Sequence, residues 1–274
     1  MARVQVILRH QGITAGSLVV DDTDNPRSKA AKALAYLDKR RDKARGGSLW
    51  GQSLVFLLLV TPKIAIPVGV VFSQPAPELS AWYKMDKALK KQEVPAKQRP
   101  RKPAPNPQYP TKEQLALRFL ASFKAQQPAV RIHALMADAL SGTATFVDGA
   151  SALCSGVQVI AHIRSNQHMR VGQRHQHVAA YLATHPGTPY AICIRGGAEV
   201  VAMGGSARLY VCAHTTKRFI VAIKYAEEDT YRSLIASDLS WRTLDIVQGH
   251  TLRWLVEISQ PYYGSRTSLS LAAA

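Results

Sequence analysis

Three apolar residues, Leu18-Val19-Val20, run directly into two adjacent carboxylates, Asp21-Asp22, followed by Thr23. No other stretch restricts the fold as much. An apolar, β-branched run of this length reads as a strand buried on both faces. Carboxylates at its end would sit on rigid backbone at the rim of a sheet, within reach of a metal ion. The same residues also fit an ordinary strand-to-turn boundary, with Asp22, Asp24 and Asn25 as turn formers ahead of Pro26.

A second stretch repeats the pattern. Pro128 breaks a helix, Val130 to Ala137 reads as a strand, and the strand ends on Asp138. Gly142 then precedes helical spacing at Phe146, Val147, Ala150 and Leu153. If the two strands lie parallel in one sheet, Asp21 and Asp138 fall at the same edge. A third acid lies near the C-terminal end. Asp238 to Thr243 leads into a helix expected from Leu244 to Ile258, where His250, Arg253 and Glu257 are spaced to share one face. An Arg and a Glu at that spacing also read as a plain surface ion pair.

The connecting segments are informative to different degrees. Residues 1–17 carry one apolar run, Val4 to Leu8, expected as an edge strand or a loose segment. Residues 26–48 are rich in Lys and Arg and read either as a phosphate-holding run or as a solvated helix and loop. Residues 52–60 and 64–72 read as two strands joined by a turn at Thr61-Pro62-Lys63, with Pro67 marking an edge or bulge. A helix is expected over 78–94, then an extended basic loop over 94–110, since Pro95, Pro100, Pro103, Pro105, Pro107 and Pro110 exclude helix and sheet interior. Thr111 and Gln114 form a capping box at the head of a helix reaching Phe123. Residues 157–238 change to short alternating runs separated by Gly196-Gly197, Gly204-Gly205 and Glu227-Glu228-Asp229. That is an all-β pattern with hairpin turns.

The balance of 35 Lys+Arg against 18 Asp+Glu, a formal charge of +17, points to a polyanionic partner, and nucleic acid is a commoner one than membrane. The excess is concentrated between Lys84 and Lys124, where eleven basic residues face three acids. Lys97, Arg99, Arg101 and Lys102 of the Pro-rich loop are therefore the candidate DNA-backbone contacts. Cys154, Cys193 and Cys212 are too few and too scattered for a disulfide framework or a zinc knuckle, and read as small buried residues in a reducing compartment. The start of the chain does not resemble a signal peptide, and Leu49 to Phe72 is too interrupted to span a membrane. A soluble, cytoplasmic, nucleoid-associated protein is expected.

Four segments in this order carry a family resemblance: Asp21-Asp22-Thr23; Ala137-Asp138-Ala139-Leu140-Ser141-Gly142-Thr143; Gly156 to Ile160 through Arg164-Ser165-Asn166-Gln167; and Ser237 to Arg242 through Arg253-Trp254-Leu255-Val256-Glu257. Over roughly residues 15–257 the chain resembles bacterial insertion-sequence transposases of the DDE class, which have an RNase H-like core. The resemblance implies an α/β fold, an RNase H-like mixed sheet flanked by helices, with a β-rich insertion between the second and third acids. It implies a metal-binding catalytic triad of Asp21, Asp138 and Glu257 holding two Mg2+ (or Mn2+) ions. The implied reactions are phosphodiester hydrolysis and strand transfer on double-stranded DNA, at the element ends and the target, by a homodimer without membrane contact.

Within the family's pattern around the last acid, Arg253 and Glu257 match, the tyrosine position falls on His250 and the lysine position on Gly264. Arg253 and His250 are accordingly DNA-binding candidates. Trp241 is another, as an aromatic face for an unpaired base, beside its alternative role in core packing. The organisation this implies is a short N-terminal remnant (1–17), the first part of the core (18–155), the β-rich insertion (156–237), the final core helix (238–260) and a divergent tail (261–274). A copy truncated at both ends, inactive and only binding DNA, is the alternative expectation; a nuclease of the same fold without joining activity is a third.

Overall fold

The computed structural model describes residues 2–28, 34–41, 46–61, 64–138, 142–193 and 198–252. The fold is mixed α/β, with a large, mostly antiparallel sheet and, among the described residues, six α-helices. Two compact units divide the chain: Met1–Asp21, Phe56–Val70 and Ala116–Ala274 form the first, Asp22–Val55 and Val71–Leu115 the second.

The first unit opens with a helix, α1 (Ala2–His10), where a strand or loose segment was expected. Val4 and Leu8, four residues apart, are its buried positions, so the apolar run serves a helix of period 3.6 and not a strand of period 2. Gly12, at φ 60°, ends it: Ile13 donates to Leu8 and Gly12 to Arg9, a Schellman closure that uses the left-handed freedom of glycine.

Strand β1 (Ala15–Arg27) does not stop at the aspartates but continues through Asp22, Asp24 and Asn25, correcting the expected turn. Its partner β3 (Ser48–Val60) is equally long. A Cβ on Gly16 would come 2.8 Å from the Val60 carbonyl oxygen, and one on Gly51 2.8 Å from that of Asn25. The two glycines thus permit close pairing at both ends of an antiparallel ladder. Among the described residues β4 (Ala65–Ser73), which contains Pro67, pairs with β3 alone, as an edge strand can.

On the other side of β1 lies β5 (Arg131–Ala137), parallel to it, and then β6 (Gln158–His162), parallel to β5. The sheet continues in the order β12 (Arg232–Ala236), β11 (Thr216–Tyr225), β10 (Glu199–Val211), β7 (His168–Val171), β8 (Arg174–His177), all antiparallel, with β9 (Thr188–Cys193) also on β10. The β-rich stretch 156–237 thus extends the same sheet. It also contains a helix that its pattern did not suggest, α5 (Val178–Thr184). Gly204-Gly205 is not a turn but lies inside β10. A Cβ on Gly187 would sit 2.1 Å from the Gly204 carbonyl oxygen, so these glycines serve a close crossing of chains.

Helices α3 (Lys112–Gln126) and α4 (Ala144–Leu153) bury Leu120 and Phe123, and Phe146, Val147 and Ala150. Thr143 caps α4 by accepting from the Phe146 amide. On α6 (Thr243–Thr251), Ile246 and Val247 pack into a core with Val19, Met136, Ile160 and Leu234 from four neighbouring strands.

In the second unit β2 (Asp38–Arg41) pairs antiparallel with the start of β3, replacing part of the expected helix and loop. Buried Gln52 ties the unit together, accepting from Arg27 Nε and donating to the Ala35 carbonyl. Helix α2 (Pro77–Lys91) buries only Asp86. No described helix is long and apolar enough to cross a membrane.

Candidate metal centre

The site follows from three parallel strands whose mutual pairing ends in step. The last paired residues are Val20 with Ala137 and Ala137 with Ala161. One residue further on stand Asp21, Asp138 and His162, side by side at the rim. A β-bulge between Gly16 and Leu18 sets the phase of β1. Val19 then joins the α6-side core two residues before Asp21, just as Met136 does two residues before Asp138.

Asp21, its chain neighbour Asp22 and Asp138 each offer one carboxylate oxygen, and these oxygens lie within 4.8 Å of one another. Asp21 is only 6% exposed, whereas Asp22 and Asp138 are half-buried. Like charges this close are mutually unfavourable, and a cation among them removes the penalty. The donor set is all oxygen, which suits a hard divalent ion such as Mg2+ or Mn2+. Asp22 is also ion-paired with Lys112 Nζ. Lys112 is the first residue of α3, where the helix dipole disfavours a cation, so Asp22 gives a local reason for its place. The capping box expected there forms: Gln114 accepts from the Thr111 amide at 2.9 Å and its own amide donates to Thr111 Oγ1 at 3.2 Å.

The remaining expected site residues fall into three groups. Arg253 and Glu257 lie outside the described residues. His250 is 1% exposed, its Nε2 2.9 Å from Nε2 of His162, so its ring is enclosed by protein and not presented to a DNA strand. Trp241 is half-buried and packs against the α6-side core, which gives its indole a packing role. In the Pro-rich segment Lys97, Arg101 and Lys102 are exposed, and Lys102 Nζ stands 5.9 Å from the centre of the Tyr83 ring. Arg99 differs: it donates to Asp86 at 3.0 Å, and Lys90 holds the other oxygen at 2.6 Å. The hydrogen bond from Lys90, helped by Arg99, keeps the Asp86 carboxyl below the usual carboxylate range. The guanidinium of Arg99 fastens the Pro-rich segment to α2 and is committed there.

Two further residues escaped the sequence patterns. His162 follows Ile160 by two, in the same phase as Asp138 after Met136, and that spacing was readable. His214 was not. It lies in a 3₁₀ turn, Cys212–His214, 3% exposed, and donates from Nε2 to the Gly142 carbonyl at 3.1 Å. Arg218 Nε donates to its Nδ1 at 3.3 Å, and Arg218 Nη2 binds both oxygens of Asp148 at 2.6 and 2.7 Å.

No protein-family model matches the chain, and no curated protein matches its sequence. Among solved structures, a piggyBac transposase synaptic complex with hairpin DNA is similar at 10% identity and a TM-score of 0.37, over 94% of this chain and 44% of that one. Endonuclease V of Ciona intestinalis, bound to DNA containing inosine, gives 11% and 0.33, over 96% and 95%. The NurA nuclease of Sulfolobus solfataricus gives 8% and 0.27, over 86% and 71%. The chain spans less than half the length of the transposase chain.

Proposed function

We propose that the chain is the catalytic part of a DNA transposase, cutting phosphodiester bonds at the ends of an insertion sequence and joining the freed 3′-hydroxyl to target DNA. The observation that carries this reading is the meeting of Asp21 and Asp138, distant in sequence, at the shared rim of two parallel strands. The parallel run β1–β5–β6 beside the antiparallel β3 supports an RNase H-like core, and the resemblance supplies Glu257 as the third acid. Asp21, Asp138 and Glu257 would hold the ions, while Lys112 already answers part of the charge on Asp22.

Held by Asp21, Asp138 and Glu257, divalent ions would supply charge stabilisation for an in-line displacement at phosphorus. The chain's own part is to present the two aspartates side by side on rigid backbone, and to hold the DNA. Lys97, Arg101 and Lys102 suit phosphate contacts, which fix position without reading sequence, and Arg253 is assigned to the strand being cut. A dimer on paired DNA ends belongs to the same reading.

The test is cleavage and joining of a labelled duplex carrying the element ends, with and without Mg2+. Metal-dependent nicking followed by joining supports the proposal. DNA binding with steep salt dependence but no cutting would leave only a DNA-binding remnant. Cutting without joining would make the chain a nuclease.

A further inference from the structure

We propose that His168, His175, His177 and Cys212 form a second metal site, for Zn2+ or an ion of like softness, where the β7–β8 hairpin meets the end of β10. Met169 is fully buried beneath the hairpin, so its neighbours of the opposite phase, His168 and Arg170, stand on the exposed face. The ladder sets His177 directly opposite His168, and His175 opposite Arg170. His175 and His177, two residues apart on one strand, share that face. All three histidines are exposed. Between Asp148 and Glu199 the chain has no acid. The donors on offer are imidazole and thiol, a set that suits Zn2+ and not Mg2+.

Two couples already stand near ligand spacing. The thiol of Cys212, just past the end of β10, lies 3.8 Å from Nδ1 of His175. A tetrahedral Zn2+ with sulfur at about 2.3 Å and nitrogen at about 2.0 Å has an S···N edge of about 3.5 Å. The rings of His168 and His177 lie 4.2 Å apart, centre to centre. His177 also has its tautomer set. The Asn166 carbonyl, 2.9 Å from Nδ1, can only accept, so Nδ1 carries the hydrogen and the neutral ring presents its lone pair at Nε2. A carbonyl behind the far nitrogen is a usual support of a metal-bound histidine.

Among the described residues only the aspartates already converge as a group of three. Joining the two histidine couples takes rotation about the side-chain bonds of exposed rings, from one staggered state to another. Arg170, the cation level with His175, is drawn toward β10, its guanidinium 4.6 Å from the centre of the Tyr210 ring. Binding would release the thiol proton and tie β8 to the end of β10 across β7. That is a staple for a hairpin whose strands are only four residues long.

The experiment titrates Co2+ into the full chain, kept reduced with a phosphine, and follows its absorption. One equivalent should give the strong visible bands of a four-coordinate ion and a near-ultraviolet thiolate-to-cobalt band. Zn2+ should erase both, and excess Mg2+ neither. Cys212→Ser should remove the thiolate band. His168→Gln, His175→Gln and His177→Gln, changes at exposed positions that leave folding intact, should each weaken Co2+ binding by more than about tenfold. Asp138→Asn should leave the spectrum unchanged, which separates this site from the aspartate centre and from the transposase reading. No four-coordinate spectrum, a thiolate band that survives Cys212→Ser, or a histidine variant that binds as wild type does would overturn the proposal.

Discussion

Asp86 and Asp138 are both carboxylates withdrawn from solvent, and their surroundings are opposite. Asp86, on α2, is held by two cations of its own chain, Lys90 and Arg99. Asp138 is gathered with other carboxylates, Asp21 and Asp22. An acid that is already neutralised fastens structure: here it ties a proline-rich segment to a helix that buries nothing else. Acids brought together by a rigid sheet cost stability and create a demand for a cation, which is what a site for function looks like. Charge counting alone separates neither case, because Arg99 reads as a DNA contact until Asp86 is seen beside it.

The comparison is tested first by neutralising each acid. Asp138→Asn should lower metal-dependent DNA cleavage by about a thousandfold or more, since the interaction with the ions serves the displacement itself. Without divalent ions its melting temperature should equal or exceed that of wild type, because a like-charge contact is relieved. Asp86→Asn should do the reverse. Arg99 and Lys90 would face an amide, and limited proteolysis within residues 94–110 should speed up while cleavage chemistry on the DNA persists.

Packing behind the site comes next. Phe146→Ala removes a fully buried side chain from the helix that follows Asp138, and chemical denaturation should show a loss of about 3–5 kcal/mol. Thr143→Ala deletes only the cap of the same helix and should cost about 1 kcal/mol.

The pH response is the smallest effect and sharpens the contrast. Asp86 has a lowered pKa in the folded protein, set first by Lys90, so its contribution is present above the ordinary carboxylate range and is lost as pH falls through that lower folded value. His214 is also lowered, chiefly by burial. Its contribution is complete above the ordinary histidine range, near pH 6.5, and is lost as pH falls through its own folded value. Faster proteolysis of the Pro-rich segment is therefore expected only below the ordinary carboxylate range.

Much of this was legible in the residues. The strand ending on Asp138, the capping box at Thr111 and Gln114, and the edge character of Pro67 follow from local chemistry, and the structure contains each. The meeting of Asp21 with Asp138 was readable only on the condition that β1 and β5 are parallel neighbours, because no local signal sets strand order. Val4 to Leu8 was misread since five apolar-rich residues fit either period, and only the partners of Val4 and Leu8 decide. Gly204-Gly205 looked like a turn because glycine marks close approach as well as reversal. Lys112 and His214 act through partners about 70 to 90 residues away in sequence, and no pattern in the chain announces those partners.

The most direct measurement is an anomalous-scattering map of crystals soaked in Mn2+. The account predicts density for an ion coordinated by carboxylate oxygens of both Asp21 and Asp138. A map with no ion there, or with manganese bound only elsewhere on the chain, would contradict it.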